Sequence, residues 1–332
     1  MCVKDEYKDY LRRDMGIEDF KKITPHLNDV ESVVLEGWGE SLLHKDLIEF
    51  IRLSKQEGPE VGFVTSGMGL DEDYTMKLVN AGIDFVGFSL SGATSKTHNL
   101  IRVNSDFGML INSIKLFRKL SDKNKLKKPK IHIVYLMLAD NISEVPLIIE
   151  LAKTLGIEEV VLINIIQISN ARQDSEKVFT CENEESHSNI MDEARTKAKQ
   201  LKIKLTAPYL SSHDVAVCSE NPLRNLYISV DGEISPCVYL YPPIPSPFKR
   251  IFCGKEYWIE KVSFGNIFRD SFSVIWNGTH YKEFRNPFIK RRERLGKLYF
   301  LPWDSSEVRD SRSTFLPEPP EACKTCHKIL GV

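Results

Sequence analysis

The feature that most constrains the fold is an alternation of short apolar runs with amphipathic helical segments between about residues 17 and 205. The apolar runs are rich in β-branched residues, which favours buried strands. The predicted strands are residues 30–35, 61–64, 85–90, 131–136 and 160–165, with a short sixth strand at 203–205. Strands that alternate with helices are typical of a parallel sheet or barrel with the helices outside.

The alternation opens with a helical segment, residues 17–27, although a barrel of this kind begins with a strand. We therefore expect an α/β fold, a partial (β/α)6 TIM-like barrel that is open or lacks its first strand. After about residue 208 prolines cluster, helical periodicity fades, and five of the seven cysteines follow. The sequence predicts two domains: the partial barrel, residues 1–208, and a small loop-rich domain held by cysteine ligands, residues 209–332.

Charge and hydropathy exclude several functional classes. The 332 residues carry a net charge of -1, which gives no indication of binding to nucleic acid or to an anionic membrane. No apolar run approaches the roughly 20 residues that span a bilayer, and the charged start lacks the apolar stretch of a signal peptide. We expect a cytoplasmic protein with neither nucleic acid nor membrane as a partner. Its cysteines are then metal ligands or reactive thiols rather than disulfides.

Small polar residues follow several predicted strands. The first strand runs into Gly37-Trp38-Gly39-Glu40, where glycines allow a ligand to approach the backbone and a carboxylate suits a cationic amine. Taken alone, this stretch is also explained by an ordinary turn with a solvated glutamate. The carboxyl ends of parallel strands meet at one edge, so we expect a ring of ligand contacts there. Its further members are Thr65, Ser66, Ser89, Ser91 and Asn164.

Four cysteines form two clusters with the spacing of a metal site. One pair flanks a predicted hairpin with an Asp-Gly tip, and the other is a CxxC. Four thiolates fit either tetrahedral zinc or an iron-sulfur cube, so the metal stays open. The predicted ligands are Cys218, Cys237, Cys323 and Cys326. Cys181 and Cys253 have no partner at a useful spacing, and we interpret both as free thiols.

Together these motifs resemble radical S-adenosylmethionine (radical SAM) enzymes with a C-terminal SPASM or twitch domain. The glycine turn with Glu40 resembles the family's GGE element, which binds the methionyl amine, and residues 65–67 resemble its TNG element. Residues 89–93, followed by Arg102, resemble the loop that holds the cofactor's carboxylate and ribose. Cys218-x13-Gly232-x4-Cys237 with the later CxxC matches the opening of the SPASM pattern. The implied cofactor-binding residues are Gly37, Trp38, Gly39, Glu40, Thr65, Ser66, Ser89, Ser91 and Arg102.

Two departures from the family pattern matter. The family's C-x3-C-x2-C motif ligates the catalytic cluster, and here only Cys2 can belong to it, as its third cysteine. Cys2 is thus the remaining catalytic ligand implied by the resemblance, and we interpret Met1 as an internal methionine of a shortened sequence. The SPASM pattern continues beyond its CxxC in the family. The four late cysteines suffice for one fully ligated auxiliary cluster.

The resemblance implies an oxidoreductase or maturase with four-iron four-sulfur clusters and SAM as cofactors. Such an enzyme cleaves SAM to a 5′-deoxyadenosyl radical, which abstracts hydrogen from a peptide, protein or small-molecule substrate. The implied electron donor is a flavodoxin or ferredoxin. For this chain of 332 residues we expect about one cluster, at the four late cysteines, and no cleavage of SAM.

Two other classes of function compete with this interpretation. The alternative is a non-catalytic protein that binds zinc or an iron-sulfur cluster and uses its barrel for a ligand or peptide. A third interpretation is a thiol hydrolase that uses Cys253 with His213 or His280. It has poor support, because no nucleophile elbow surrounds these residues.

Overall fold

In the computed structural model of this chain, the described residues are 6–7, 12–123, 129–182, 187–213, 215–299 and 316–332. Among them, six parallel strands form one sheet in chain order, with β1 and β6 at its two edges. The strands are β1 (Ser32–Val34), β2 (Glu60–Thr65), β3 (Phe85–Leu90), β4 (Lys130–Met137), β5 (Glu159–Asn164) and β6 (Lys204–Thr206). The predicted α/β partial barrel is confirmed, and it is open between β1 and β6 over the described residues.

Helices connect the strands, as the apolar periodicity predicts. The described helices of this first region are α1 (Ile17–Ile23), α2 (Leu47–Gln56), α3 (Glu72–Asn80), α4 (Ser95–Ile101), α5 (Phe107–Lys123), α6 (Val145–Thr154), α7 (Ala171–Glu176) and α8 (Ser188–Leu201). The short helices α4 and α7 escape the sequence analysis, because six or seven residues are too few to show a helical period. Each begins at a side-chain cap instead, at Thr94 and Asn170 respectively.

The core of the first region lies between the sheet and its helices. Phe63, Phe88 and Tyr135 on the central strands are fully buried, together with apolar side chains of α5 and α6. Close packing between strands explains Gly62, where a Cβ atom would lie 2.2 Å from the ring of Phe85. Such packing makes the sheet a rigid support for side chains at its carboxyl edge.

The second region begins after β6 and contains two small antiparallel sheets. The predicted hairpin is present as β7 (Tyr227–Ile228) and β8 (Ile234–Ser235), with Gly232 in its turn at a φ of 84°. A second hairpin, β9 (Phe248–Phe252) with β10 (Lys255–Ile259), was not predicted.

The expectation that helical structure fades in the second region was wrong. It contains α9 (Phe272–Asn277) and the 21-residue helix α10 (Thr279–Tyr299), which includes Pro287. The many charged residues of α10 weaken its apolar stripe, so the sequence gives little signal. The basic run at residues 290–294 lies on this helix. Within it Arg291 is buried.

The second region packs onto the first through its last residues. Val332 joins the apolar core of the first region, and its neighbours Leu330 and Gly331 accept hydrogen bonds from the N–H groups of His213 and Tyr209 in the segment that follows β6. Among the described residues, no helix is long and apolar enough to cross a membrane. The boundary at residues 208 and 209 remains a prediction.

Candidate functional site

Glu40 lies at the carboxyl edge of the sheet, just beyond β1. One carboxylate oxygen, Oε1, accepts hydrogen bonds from Thr65 Oγ1 at 2.6 Å and from the N–H of Leu42 at 3.2 Å. The other, Oε2, accepts from the N–H of Ser66 at 2.8 Å. The turn after β1 and the end of β2 therefore fix this carboxylate in one orientation. The structure thus brings together the predicted residues Glu40, Thr65 and Ser66.

Arg102 completes a second polar group at the end of β3. Its Nε donates to Ser91 Oγ at 2.9 Å, and its Nη2 donates to Ser89 Oγ. Burial lowers the pKa of Arg102, whereas the negative charge of Glu40 raises it, so the two charges act on each other. The predicted residues on β1, β2 and β3 accordingly meet as an acidic group beside a basic one.

Buried polar side chains hold the loop after β3. The N–H of Ser91 donates to His98 Nδ1 at 3.3 Å, and His98 Nε2 hydrogen-bonds Ser105 Oγ at 2.9 Å. Burial, and secondly the charge of Arg102, lower the pKa of His98 to about 4, so the imidazole is neutral at pH 7. Asn141 Nδ2 donates to the carbonyl of Ser91 at 3.0 Å. The sequence analysis missed Asn141, since nothing local marks a contact 50 residues away.

Trp38 extends from the glycine turn toward the second region. Its indole makes an edge contact with the ring of Tyr239, at 6.3 Å between centroids, and packs with the apolar cluster that includes Cys237 and Cys323. A Cβ atom at Gly39 would have no heavy atom within 4 Å, so the protein's own packing does not require a glycine here. The surface beside Gly39 is open. The turn thus lies between the carboxyl edge of the sheet and the cysteines of the second region.

The four late cysteines come together, as their spacing predicts. They line one cleft, which we name the four-cysteine cleft. Burial, and secondly the nearby Cys326 sulfur, raise the pKa of the Cys218 thiol to about 11. The pKa values of the Cys237 and Cys323 thiols are also raised by burial and by the Cys326 sulfur. A compact set of sulfur donors fits an iron-sulfur cluster or zinc, because a bound cation removes this cost of ionisation. The ligands and other residues of the cleft are Cys218, Cys237, Cys323, Cys326, Glu220, Tyr239, Leu240, Lys328 and Ile329.

Two buried arginines position the segments that carry these cysteines. Arg250, on β9 and 1% exposed, donates to the carbonyls of Tyr239 at 3.1 Å and Ala322 at 3.3 Å. These carbonyls flank Cys237 and Cys323 in the chain.

Arg291, on α10, donates to the carbonyls of Val215 at 2.8 Å, Ala216 at 3.2 Å and Pro317 at 2.5 Å. The segments so held precede Cys218 and Cys323. Sequence analysis missed both arginines, because an isolated arginine on a strand or in a basic run resembles a surface residue.

The interpretation of Cys181 and Cys253 as free thiols was wrong, as was the expectation that disulfides are absent. The two residues form a disulfide across a sequence separation of 72. Cys253 occupies the unpredicted turn between β9 and β10, which carries it to the segment after α7. The hydrolase interpretation loses its nucleophile, and His213 lies elsewhere, stacked on Tyr209 at 3.9 Å. His280 is on α10 with its side chain 92% exposed.

Cys2, the implied ligand of the catalytic cluster, lies outside the described residues. Among the other predicted site residues, Glu40 lies with Thr65 and Ser66, Arg102 lies with Ser89 and Ser91, and the four late cysteines line the cleft. Asn164, predicted at the same edge, is buried at the end of β5 and donates from Nδ2 to the carbonyl of Tyr209 at 3.4 Å. It therefore contributes to the junction with the second region.

Comparison with family models identifies both regions. The model of the radical SAM superfamily matches residues 2–165, and the SPASM model, an iron-sulfur cluster-binding domain, matches residues 218–297. The first match includes Cys2 and the polar residues at the carboxyl edge of the sheet, which we name the Glu40–Arg102 group: Glu40, Thr65, Ser66, Ser89, Ser91 and Arg102. The second includes Cys218 and Cys237.

Two curated relatives have similar sequences. A tungsten-containing aldehyde ferredoxin oxidoreductase cofactor-modifying protein of Pyrococcus furiosus is 25% identical over 86% of this chain and 78% of its own length. A probable GTP 3′,8-cyclase of Saccharolobus islandicus is 28% identical over 64% of this chain and 68% of its own length.

Solved structures share the fold. SuiB of Streptococcus suis, bound to S-adenosylmethionine, superposes with a TM-score of 0.60 and 13% identity. The match covers 82% of this chain and 62% of SuiB. The protein anSMEcpe with bound AdoMet gives a TM-score of 0.59 at 15% identity, over 98% of this chain and 90% of that one. At these identities the likeness establishes the fold.

Proposed function

Since this chain belongs to the radical SAM superfamily and carries an iron-sulfur cluster-binding SPASM domain, we propose that it binds S-adenosylmethionine and, where a complete catalytic cluster is present, cleaves it and abstracts hydrogen from a peptide or small-molecule substrate. When bound, a four-iron four-sulfur cluster would supply the one-electron reduction that breaks the C5′–S bond of SAM. The residues of the chain bind and orient this cofactor and exclude water from it. Cys2 would be a ligand of that catalytic cluster.

The observation that carries the proposal is that the Glu40 carboxylate and the Arg102 guanidinium lie at the same carboxyl edge of β1, β2 and β3, close enough for their charges to act on each other. The methionyl end of SAM is a zwitterion, with an ammonium group and a carboxylate on one carbon atom. A fixed carboxylate beside a guanidinium is complementary to both charges, through charge-assisted hydrogen bonds. Glu40 would bind the ammonium group, and Arg102 with Ser89 and Ser91 would bind the carboxylate and ribose.

The four-cysteine cleft would hold one auxiliary iron-sulfur cluster. Four thiol ligands complete its coordination, so the cluster would exchange electrons or orient the substrate rather than bind SAM. Trp38 of the glycine turn contacts Tyr239, which lines the cleft, so this aromatic pair connects the two sites. A cytoplasmic flavodoxin or ferredoxin would supply the electron.

The relatives support a broad substrate class. The relative from P. furiosus is described as a cofactor-modifying protein, and SuiB is known in complex with its precursor peptide SuiA. A small cofactor precursor and a peptide are accordingly the two substrate classes to screen first.

A charge-removing substitution at Glu40 tests the proposal. Anaerobically reconstituted Glu40→Gln should bind radiolabelled SAM about 10- to 100-fold more weakly than wild type, because one charge-assisted hydrogen bond is lost. Glu49→Gln, on the exposed face of α2, is the matched control and should bind like wild type. The same samples are assayed for 5′-deoxyadenosine after dithionite reduction, and we expect none from residues 1–332, because only Cys2 of the catalytic motif is present in them.

The outcomes separate the two classes of function. Wild-type affinity in Glu40→Gln would refute the assigned binding site. One zinc per chain without iron, together with no SAM binding, would instead support the non-catalytic metal-binding protein.

A further inference from the structure

Three metal-ligating side chains meet outside the four-cysteine cleft. The ligand atoms of Cys181, Cys253 and His327 all lie within 4.8 Å of one another. The three residues belong to different segments: Cys181 follows α7, Cys253 is in the turn between β9 and β10, and His327 follows the CxxC. Their meeting is therefore a product of the tertiary fold and not of a local sequence motif.

His327 is the fully buried member of this group. Its side chain is fully buried, between the rings of Phe179 at 4.9 Å and Phe252 at 5.0 Å. Its Nε2 accepts a long hydrogen bond from the N–H of Cys253, at 3.4 Å. The backbone of Ile166 is a further polar neighbour of the imidazole. A neutral imidazole whose Nε2 accepts a hydrogen bond carries its proton on Nδ1, so Nε2 holds the lone pair that could bind a cation in place of the long bond from Cys253.

The donor set and its dimensions suit a thiophilic cation. Two sulfurs and one imidazole nitrogen are typical zinc ligands, and catalytic or exchangeable zinc sites often have three protein ligands and one open position. With Zn–S near 2.3 Å and Zn–N near 2.0 Å, tetrahedral geometry separates the ligand atoms by roughly 3.5–3.8 Å. Ligand atoms already within 4.8 Å need only a small rearrangement once the disulfide opens.

We infer that Cys181, Cys253 and His327 form an additional redox-gated site, which binds a divalent cation such as zinc when the disulfide is reduced. A dithiol reductant opens the site: the S–S bond breaks and accepts two electrons and two protons, while the dithiol is oxidised to a disulfide. Zinc binding then replaces the two thiol protons, which pass to solvent. Oxidation after loss of the metal restores the disulfide.

The disulfide state and the metal-bound state would link different segments of the chain. The disulfide joins the segment after α7 to the β9–β10 hairpin. The metal would also join His327, which is adjacent to the cluster ligand Cys326. Occupancy of this site would therefore restrain the CxxC segment, in addition to the hydrogen bonds of Arg250.

Cobalt binding tests the inference, since Co²⁺ replaces zinc and gives intense thiolate-to-cobalt absorption. The full chain is first reconstituted with iron and sulfide, so that the four-cysteine cleft is filled. It is then treated with a phosphine reductant and titrated with Co²⁺ under anaerobic conditions. We expect one cobalt per chain with thiolate bands after reduction, none before it, and displacement by zinc.

Variants distinguish this site from adventitious binding. Cys181→Ser should abolish the thiolate bands while its iron content stays at the wild-type value, because Cys181 is not among the residues that line the four-cysteine cleft. His327→Gln should weaken cobalt binding at least 10-fold, whereas His213→Gln, a histidine outside the group, should not. Reduced wild-type protein that binds no cobalt, or bands that persist in Cys181→Ser, would overturn the inference. If His327→Gln loses iron, the cobalt spectrum of reduced Cys181→Ser alone tests the site.

Discussion

The two regions of the molecule hold their sites by different means. In the first region the Glu40–Arg102 group stands at the edge of a parallel sheet, above a continuous core of fully buried apolar side chains. In the second region two small hairpins share smaller apolar clusters, and buried arginines bind the carbonyls beside the cysteines. Apolar burial supports the first site independently of its ligand. The second site has less core, so its ligand also contributes to folding.

The largest expected effect follows from removing one cysteine of the four-cysteine cleft. In Cys237→Ser we expect loss of the auxiliary cluster and extensive unfolding of the second region, because structural metal sites can supply about 10 kcal/mol of folding free energy. The first region should stay folded. Limited proteolysis with mass spectrometry checks this: cleavage should concentrate after residue 208, and iron content should fall.

Thr325→Val is the control for this variant. Thr325 lies between the two cysteines of the CxxC, and its buried Oγ1 has no hydrogen-bond partner among the described residues. Removing this hydroxyl should leave cluster content unchanged and stability unchanged or slightly higher. Equal protease sensitivity of both regions in Cys237→Ser would show that the comparison is wrong.

A smaller effect is expected from Arg250→Met, which keeps the length of the side chain but removes its donors. The carbonyls of Tyr239 and Ala322 would lose these bonds within the protein, at a cost of about 3 kcal/mol. The melting temperature of the second region should fall, and its cluster should be lost faster to a chelator. Calorimetry and the decay of cluster absorbance measure the two effects.

Arg269→Met provides the comparison for Arg250. The Arg269 side chain is 73% exposed and lies 3.4 Å from Glu233, so its loss should change stability by less than about 1 kcal/mol. Arg250→Lys should recover part of the stability, since one ammonium group can reach fewer acceptors than a guanidinium. If Arg250→Met is as stable as Arg269→Met, the arginine bonds do not support the cleft.

Sequence reasoning succeeds where a signal is local and periodic. The strands β2 to β5 are apolar runs of ordinary length, so the sheet, its order and the edge that carries Glu40 follow from the pattern. The cysteine spacing likewise predicts the four-cysteine cleft, because a hairpin and a CxxC each hold two ligands in a fixed relation.

Sequence reasoning fails where a contact depends on tertiary structure. The partnership of Cys181 with Cys253 and the burial of Arg250 and Arg291 arise from the β9–β10 hairpin and α10, which the sequence analysis did not predict. The role of Asn141 likewise requires β3 and β4 to be neighbours. Arg250, Arg291 and Asn141 are polar, and residue type alone would place them at the surface.

The smallest stability effect is expected at Gly39. This glycine tests most directly whether the site of the first region can be changed without loss of stability. A Cβ atom at Gly39 would meet no heavy atom within 4 Å, and the backbone there does not have a positive φ, so Gly39→Ala should change the unfolding free energy by less than about 1 kcal/mol. If SAM lies against this turn, the added methyl group should nevertheless weaken SAM binding several-fold. Chemical denaturation and SAM titration of the same sample give the two values.

Two further glycines calibrate the Gly39 result. Gly16→Ala, also in open space but remote from the sheet's edge, should change neither SAM affinity nor stability appreciably. Gly62→Ala should be strongly destabilising, because the new atom would overlap the Phe85 ring. A drop in SAM affinity at Gly39 without loss of stability would assign its open surface to the ligand. Unchanged affinity would mean that SAM does not approach this turn, and the first region's site would then depend on Glu40 and Arg102 alone.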